Sequence, residues 1–327
     1  MLAFRSCTAP IETPGDLSKD ALPPDTSWID AHNPDEKEIA FLERTLAIHV
    51  PTYERLVEIE SSSRLSVEDD HIIASLPLVL READGMPRTT PVGFVLSREM
   101  LLTVHFQPLR AFDHLSLPRV GSNGAAQAGI SYFLTIVECI IDHVADVLEH
   151  VGADLDDISS CIFSEDLARK HEPRKEGANL RSVLRRVGRS GDLTAKISDS
   201  LLGMGRMIPY VVANAAAYIT PTEKRRLDNL ARDISSLNDY ETHLTDKIQL
   251  LVDVTLGFTN VDQNNVFRVL TVFSIIGIPP TFFASMWGMN FKTIPEYDWA
   301  WGYPFGLSVI IMSAVIPAVW FKWRGWW

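Results

Sequence analysis

From Thr220 onward, apolar residues recur at three- and four-residue steps: Leu227, Leu230, Ile234, Leu237, Leu244, Ile248 and Leu251. That spacing lines one face of a helix. Thr220-Pro221-Thr222-Glu223 opens it. Thr220 is placed to cap the first turn, Pro221 suits the first helical position, and Glu223 reaches back to complete a capping box. No proline follows until Pro279, so one helix of roughly 100 Å is expected at 1.5 Å per residue. Its pattern changes midway. No charged residue lies between Arg268 and Lys292, a run long enough to cross a bilayer. The helix is therefore expected to begin amphipathic in water and end in lipid. A second uncharged run lies between Asp298 and Lys322.

Upstream the pattern is mixed. Residues 1–25 are rich in Pro, Thr, Asp and Ser and predict a loose lead-in with a short strand at most. Ser27–Asp30 predicts a strand, and Asn33 is expected to cap a helix begun by Pro34-Asp35-Glu36. Pro51 opens a short helix running to about Glu60. Strands are predicted at His71–Leu80, Val92–Leu96 and Met100–Phe106, with turns at Gly85-Met86-Pro87 and Ser97-Arg98-Glu99. From about Ala125 the chain turns helical, with Ile130, Phe133, Leu134, Val137, Ile141, Val144 and Leu148 on one stripe. Two further helices, Asn179–Val187 and Leu193–Ala217, are expected on either side of a turn at Gly188–Gly191. The reading is an α+β domain of α/β/α layers with a mostly antiparallel sheet. A very long helix and a two-helix hairpin follow it.

Charge separates the parts. Val266–Trp327 carries four basic and two acidic residues, which leaves 26 basic and 40 acidic upstream, a net of −14. A nucleic-acid partner is not expected, because phosphate binding needs a basic face. Lys322 and Arg324 follow the second span, while the loop between the spans holds only Lys292. That bias puts the stalk and the C-terminus on the cytoplasmic side. Seven of the eight tryptophans follow residue 286, in two clusters that bracket a span as interfacial belts do. Cys7, Cys139 and Cys161 form no close pair and show no zinc spacing, which suits a reducing compartment. The N-terminus lacks a long apolar run, so no signal peptide is expected. There is no Gly-rich phosphate loop, nucleophile elbow or HExxH, and no enzyme is expected. His105 and His114 read as packed or solvated histidines.

At ~100° per residue, Asn264, Phe267, Thr271, Ser274, Ile278, Thr281, Ser285 and Gly288 fall on one sector of the first span. Val269, Val272, Ile276 and Phe283 fall opposite. Small hydroxyl residues in a membrane helix serve close packing. A line of them continuous with Asn264 points instead to a water-filled pore. One helix cannot enclose a pore, so several copies of the chain are required. No Asp or Glu occurs from Val269 to Thr293. Mg²⁺ prefers six oxygens and sheds water reluctantly. A path without carboxylates suits a largely hydrated cation that must also leave.

The last hundred residues carry a resemblance. Asn264, Arg268, Pro279, Thr281, Trp287-Gly288-Met289-Asn290-Phe291, Pro295-Glu296 and Trp299-Ala300-Trp301-Gly302-Tyr303-Pro304 resemble the CorA-type divalent-cation channels, which are related to the ZntB-like zinc transporters. The resemblance implies a pentameric funnel in the cell inner membrane, with both termini cytoplasmic and Mg²⁺ as the transported ion. Co²⁺ and Ni²⁺ are additional cargo candidates, and Zn²⁺ transport of the ZntB type is the alternative. A membrane-anchored sensor or scaffold is the reading from another class. The implied organisation is a cytoplasmic domain over 1–217, a stalk over 220–268 and a pore-lining span over 269–287. An external loop over 288–301, a second span over 302–321 and a basic, aromatic tail over 322–327 complete it. Gly288, Met289 and Asn290 are the implied outer selectivity ring, and Asn264 a ring near the cytoplasmic mouth. Phe267, Leu270, Thr271, Ser274, Ile278, Thr281 and Ser285 line the path between. Glu296, and by extension Asp298, would concentrate cations outside.

Three departures from the family are visible. Phe267 stands where many members have Met, and Pro280 follows Pro279 where an aliphatic residue is usual. The family's cytoplasmic regulatory site joins acids on a short helix to an Asp on the stalk. Here Arg55 replaces one acid beside Glu54, and Asn229 lies beside Asp228 at the stalk position. A cation in such a site opposes metal binding, so Glu54 and Asp228 are doubtful regulatory ligands.

Overall fold

Six strands form one mixed sheet: β1 (Leu2–Ser6), β2 (Thr26–His32), β3 (Leu65–Glu68), β4 (His71–Arg81), β5 (Pro87–Leu96) and β6 (Leu101–His105). Their order is β1-β2-β6-β5-β4-β3. Only the β2–β6 pair is parallel, with Trp28 opposite Leu101 and His32 opposite His105. The computed structural model describes residues 1–6, 22–23, 26–58, 60–81, 87–109, 112, 128–163, 173–290 and 299–326. The chain divides into two compact units, Met1–Val252 and Asp253–Trp327.

In the first unit both faces of the sheet are covered. On one face Ile29, Ala31, Ile73, Val95, Leu102 and Val104 pack under α1 (Glu36–Leu46) and α2 (Tyr53–Val57), whose Phe41, Leu42 and Leu56 are buried among them. α3 (Ser61–Arg64) leads into β3. On the other face lies α4 (Ala128–Phe163). Tyr132 packs 6.0 Å from Trp28, and Phe133 lies 5.7 Å edge-on from Phe94. Gly129 lets α4 begin there, because a Cβ would lie 2.7 Å from the Ser97 carbonyl oxygen and 2.8 Å from the Met100 backbone. The result is the expected α/β/α layering.

α5 (Pro173–Asn214) covers the part of β4 that β3 does not pair. Ser200 Oγ donates to the Pro77 carbonyl at 2.6 Å, and Lys196 Nζ to that of Pro87 at 2.7 Å. A covered edge cannot recruit another strand. α6 (Pro221–Trp287) follows after a short turn, and its opening matches its sequence. Glu223 Oε2 accepts from the Thr220 backbone N–H at 2.9 Å, and the Glu223 N–H returns to Thr220 Oγ1 at 3.3 Å. Arg226 grips Glu138 of α4 with two bonds, at 2.9 and 2.7 Å.

Several expectations change. The turn at Gly188–Gly191 does not exist, since α5 runs through it. Val183, Val187, Ser190, Thr194, Ile197, Leu201, Met204, Ile208 and Val211 are buried in unbroken helical phase. That continuous apolar stripe outweighs the roughly 1 kcal/mol cost of each helical glycine. The cap of α1 is Asp35, in a capping box with Glu38, and Asn33 instead bends the chain at φ 45°. The short strand allowed for in the lead-in is β1, and β3 was not foreseen. The turn at Gly85-Met86 and the start near Ala125 lie outside the described residues, as do Cys7 and His114. Among the described residues Cys139 and Cys161 are not joined in a disulfide.

Among the described residues three helices are long and apolar enough to cross a membrane: α4, α6 and α7 (Gly302–Trp323). In α4 61% of the apolar window is buried inside the protein, against 6% in α6 and in α7. The apolar surface of α4 is spent on the sheet and that of the other two is not.

Candidate functional site

The second unit holds the C-terminal part of α6 and all of α7. α6 passes through Pro279 and Pro280 without ending. Each proline removes a backbone donor, which frees the carbonyls of Ile275 and Ile276 four residues back. Its faces differ in cover. Val272 is 8% exposed, and Ile276 and Phe283 are half-buried. Phe267, Leu270 and Ile278 are 64%, 61% and 64% exposed, and Asn264, Thr271, Thr281 and Ser285 are exposed with them. Ser274 is half-buried. Val269, one turn before Val272, is 68% exposed and does not share its shelter.

The hydroxyls on this stretch turn inward for their proton. Ser274 Oγ donates to the Leu270 carbonyl at 2.8 Å, and Thr281 Oγ1 to those of Ile278 at 2.8 Å and Gly277 at 3.2 Å. Their outward side is then oxygen lone pairs, which accept hydrogen bonds from water.

Trp287 ends α6, and Gly288-Met289-Asn290 follows directly. The Gly288 N–H donates to the carbonyls of Ala284 at 3.0 Å and Ser285 at 3.2 Å, and the Met289 N–H to that of Met286 at 3.4 Å. A Cβ on Gly288 would crowd the Ala284 oxygen at 3.2 Å. Asn290 is exposed just beyond the last turn. A helix C-terminus is the negative end of its dipole, so the tripeptide sits where a cation is favoured. Glu296 and Asp298 lie outside the described residues.

α7 starts beside this end of α6, for a Cβ on Gly306 would touch the Trp287 ring at 3.7 Å. Aromatic pairs mark both ends of the hairpin. Phe283 stacks on Trp287 at 6.1 Å, and Trp299 meets Phe305 at 5.5 Å. At the far end of α7, Trp320, Phe321 and Trp326 form a chain, with the Arg324 guanidinium 5.5 Å from the Trp320 ring.

In the first unit, Glu54 and Asp228 are both exposed. Arg55 is occupied: its guanidinium pairs with Glu68 and donates to Ser66 Oγ at 3.2 Å. The Arg55 hydrogen bond holds the Glu68 carboxyl below the usual glutamate range. Asn229 Oδ1 accepts from Arg232 at 2.5 Å. Among the described residues no group of three or more His, Cys, Asp or Glu gathers to hold a metal ion. Glu68 and Ser66 escaped the sequence reading because their strand did. The alternation of Leu65-Ser66-Val67-Glu68 before Asp69-Asp70 was the available signal.

The family described as CorA-like Mg²⁺ transporter protein matches residues 24–323. The chain belongs to the CorA family. The magnesium transport protein CorA of Wolinella succinogenes is 28% identical over 334 residues, covering 99% of this chain and 97% of that one. Among solved structures, the complete CorA magnesium transporter of Methanocaldococcus jannaschii aligns over 100% of this chain and 99% of its own with a TM-score of 0.75 at 17% identity. The ZntB cytoplasmic domain of Vibrio parahaemolyticus aligns over 80% of this chain and 98% of its own, with a TM-score of 0.54 at 14% identity. At these identities the structures establish a shared fold. A CorA-family chain of this length is a transporter subunit and not an enzyme. Its α4 belongs to the CorA-type α/β/α domain, which is why an apolar helix of crossing length is found buried there.

Proposed function

We propose that five copies of this chain form a pore in the cell inner membrane that passes Mg²⁺ down its electrochemical gradient. The reading is carried by one observation: the exposed, carboxylate-free face of α6 ends directly on Gly288-Met289-Asn290. Five copies of that face, turned inward, enclose a path walled by hydroxyl oxygens and by Phe267, Leu270 and Ile278. Asn290 and the Gly288 carbonyl hold the hydrated ion at the outer mouth, with Met289 shaping the ring. Asn264 repeats an amide ring at the inner mouth. Glu296 and Asp298 raise the local cation concentration outside. Residues 269–287 and 302–321 are the spans, 288–301 the external loop and 322–327 the cytoplasmic tail. The stalk of 220–268 and the domain of 1–217 lie in the cytoplasm, and the membrane potential draws cations inward.

The Mg²⁺ assignment follows the name of the Wolinella relative. Co²⁺ and Ni²⁺ are of similar charge and size and are further cargo. The likeness to a ZntB domain favours one competing reading, Zn²⁺ transport coupled to protons. Proteoliposomes separate the two. We expect Mg²⁺ flux that exceeds Zn²⁺ flux and does not change when a pH gradient is imposed. Zn²⁺ flux that rises with an inward proton gradient, with little Mg²⁺ flux, would favour the ZntB-like reading.

A further inference from the structure

The first unit carries two ladders of like charge that its own chain leaves unanswered. On α4, Asp142, Asp146 and Glu149 are exposed at four- and three-residue steps. On α5, Arg181, Arg185 and Arg189 are exposed at four-residue steps. Residues three and four apart on a helix are neighbours, and like charges so placed repel. Each ladder therefore works against its own helix. Ion pairing elsewhere in this helical layer is thorough. Arg186 takes Asp154 at 2.5 Å, Arg226 takes Glu138 at 2.7 Å and Lys247 takes Asp156 at 2.6 Å. Among the described residues none of the six ladder side chains forms an ion pair.

Helical phase gathers each ladder on one face. At ~100° per residue the acids span about 60° of α4, opposite the buried Val144, Leu148 and Val151. The arginines span about 80° of α5, opposite the buried Val183, Val187 and Thr194. Each chain thus turns one acidic and one basic face outward, on different helices. At 1.5 Å per residue the acids cover about 10 Å and the arginines about 12 Å, so the ladders match in length. Gly188 lies between Arg185 and Arg189, and nothing in the chain comes within 4 Å of a Cβ placed there. A glycine inside a helix is otherwise a net cost; here it leaves a notch through which another surface can approach the backbone.

These features narrow the partner. An anionic membrane or a nucleic acid would answer the arginines alone. It would also have to approach a region that, upstream of Val266, holds 26 basic and 40 acidic residues. A second copy of the chain answers both ladders at once. A contact between unlike faces is heterologous, and repeated with a rotation it closes a ring. Guanidinium and carboxylate pair through two parallel hydrogen bonds, and complementary charge fixes register and partner choice. We infer that the acidic face of α4 in one copy docks on the arginine face of α5 in the next, with Asp146 on Arg185 at the centre. The inference rests on the proposed assembly of several copies and adds which surfaces meet.

Disulfide trapping tests it in the full-length protein in mild detergent, with Cys7, Cys139 and Cys161 replaced by alanine. Asp146→Cys chains and Arg185→Cys chains, oxidised separately, should run as monomers on denaturing gels. Co-expressed, they should give a dimer band, and a chain carrying both substitutions a ladder up to the full ring. Charge reversal gives a second reading with the native cysteines in place. At low salt, where surface charge is least screened, Asp146→Arg and Arg185→Asp should each raise the concentration at which the assembly dissociates at least fivefold. Both reversals in one chain should restore it to within twofold of the wild type. Both side chains are exposed and free of ion pairs, so these variants are expected to melt as the wild type does. Assembly that persists with no disulfide between the two positions and no effect of either reversal overturns the docking and leaves the pore reading standing. A wild type that remains a monomer overturns both. Losses in the single reversals that the double variant does not recover give the residues a role within their own chain and overturn the docking as well.

Discussion

Gly129 and His32 are the residues whose environment makes the sharpest demands. The space for a side chain at Gly129 is filled by backbone, the Ser97 carbonyl and the Met100 main chain, which cannot swing aside. Overpacking of this kind costs typically ~1–3 kcal/mol. We expect Gly129→Ala to lower stability by about that amount. Gly152→Ala should cost less, since its nearest neighbour at 2.5 Å is the end of the flexible Tyr240 side chain. Denaturant melts of both variants would check the order. His32 stacks on His105 at 4.9 Å. Burial first, and the charge of His105 second, hold its pKa below the ordinary 6.5. The unfolded chain therefore takes up this proton before the folded one. The stabilisation is full above about pH 6.5 and is lost as pH falls through the lower folded value. His32→Gln should flatten the loss of thermal stability between pH 7 and pH 5. An equally steep loss in the variant would place the titrating group elsewhere.

Elements show what was legible in the sequence and what was not. The start of α6 was readable to the residue, because a capping box and a first-turn proline are local signals, and both bonds of the box are formed. Periodicity gave a mostly antiparallel sheet with helices beside it, and the family resemblance implied the further helical layer. The hairpin of β3 and β4 was missed because its two-residue turn, Asp69-Asp70, takes positive φ at both positions (46° and 63°) without the usual Asn-Gly. The false break in α5 had the opposite cause: glycines looked like punctuation, while tertiary burial of the flanking stripe decided the matter. Missing β3 also hid the partner of Arg55. That pairing bears on regulation. The resemblance drawn from the sequence implies a regulatory site in which a cation bridges an acid on the short helix to the stalk. The places it would assign hold Arg55, tied to Glu68, and Asn229, tied to Arg232. We expect millimolar Mg²⁺ to protect the α6 stalk little from proteolysis. Arg55→Asp combined with Asn229→Asp should raise that protection several-fold. Strong protection of the wild type that survives neutralising both Glu54 and Asp228 would mean that metal sensing lies elsewhere.

For the whole molecule, the contrast between buried α4 and uncovered α6 and α7 separates the helix that packs inside the protein from the two that are left free to span a membrane. Hydropathy alone cannot make that distinction, since all three helices pass it. Sequence gave the two-span reading through charge flanks and tryptophan clusters, which α4 lacks. The proposed outer site rests on three residues, Gly288-Met289-Asn290, that directly follow the end of α6. A single chain cannot enclose a path, so the proposed pore needs several copies of α6. The most direct measurement is Mg²⁺ uptake into proteoliposomes by the wild type and by Asn290→Ala, each first sized in mild detergent. Both should elute as pentamers, with robust uptake by the wild type and a loss of at least tenfold in the variant. Wild-type flux from Asn290→Ala, or transport by a protein that remains a monomer, would contradict the pore and its outer ring.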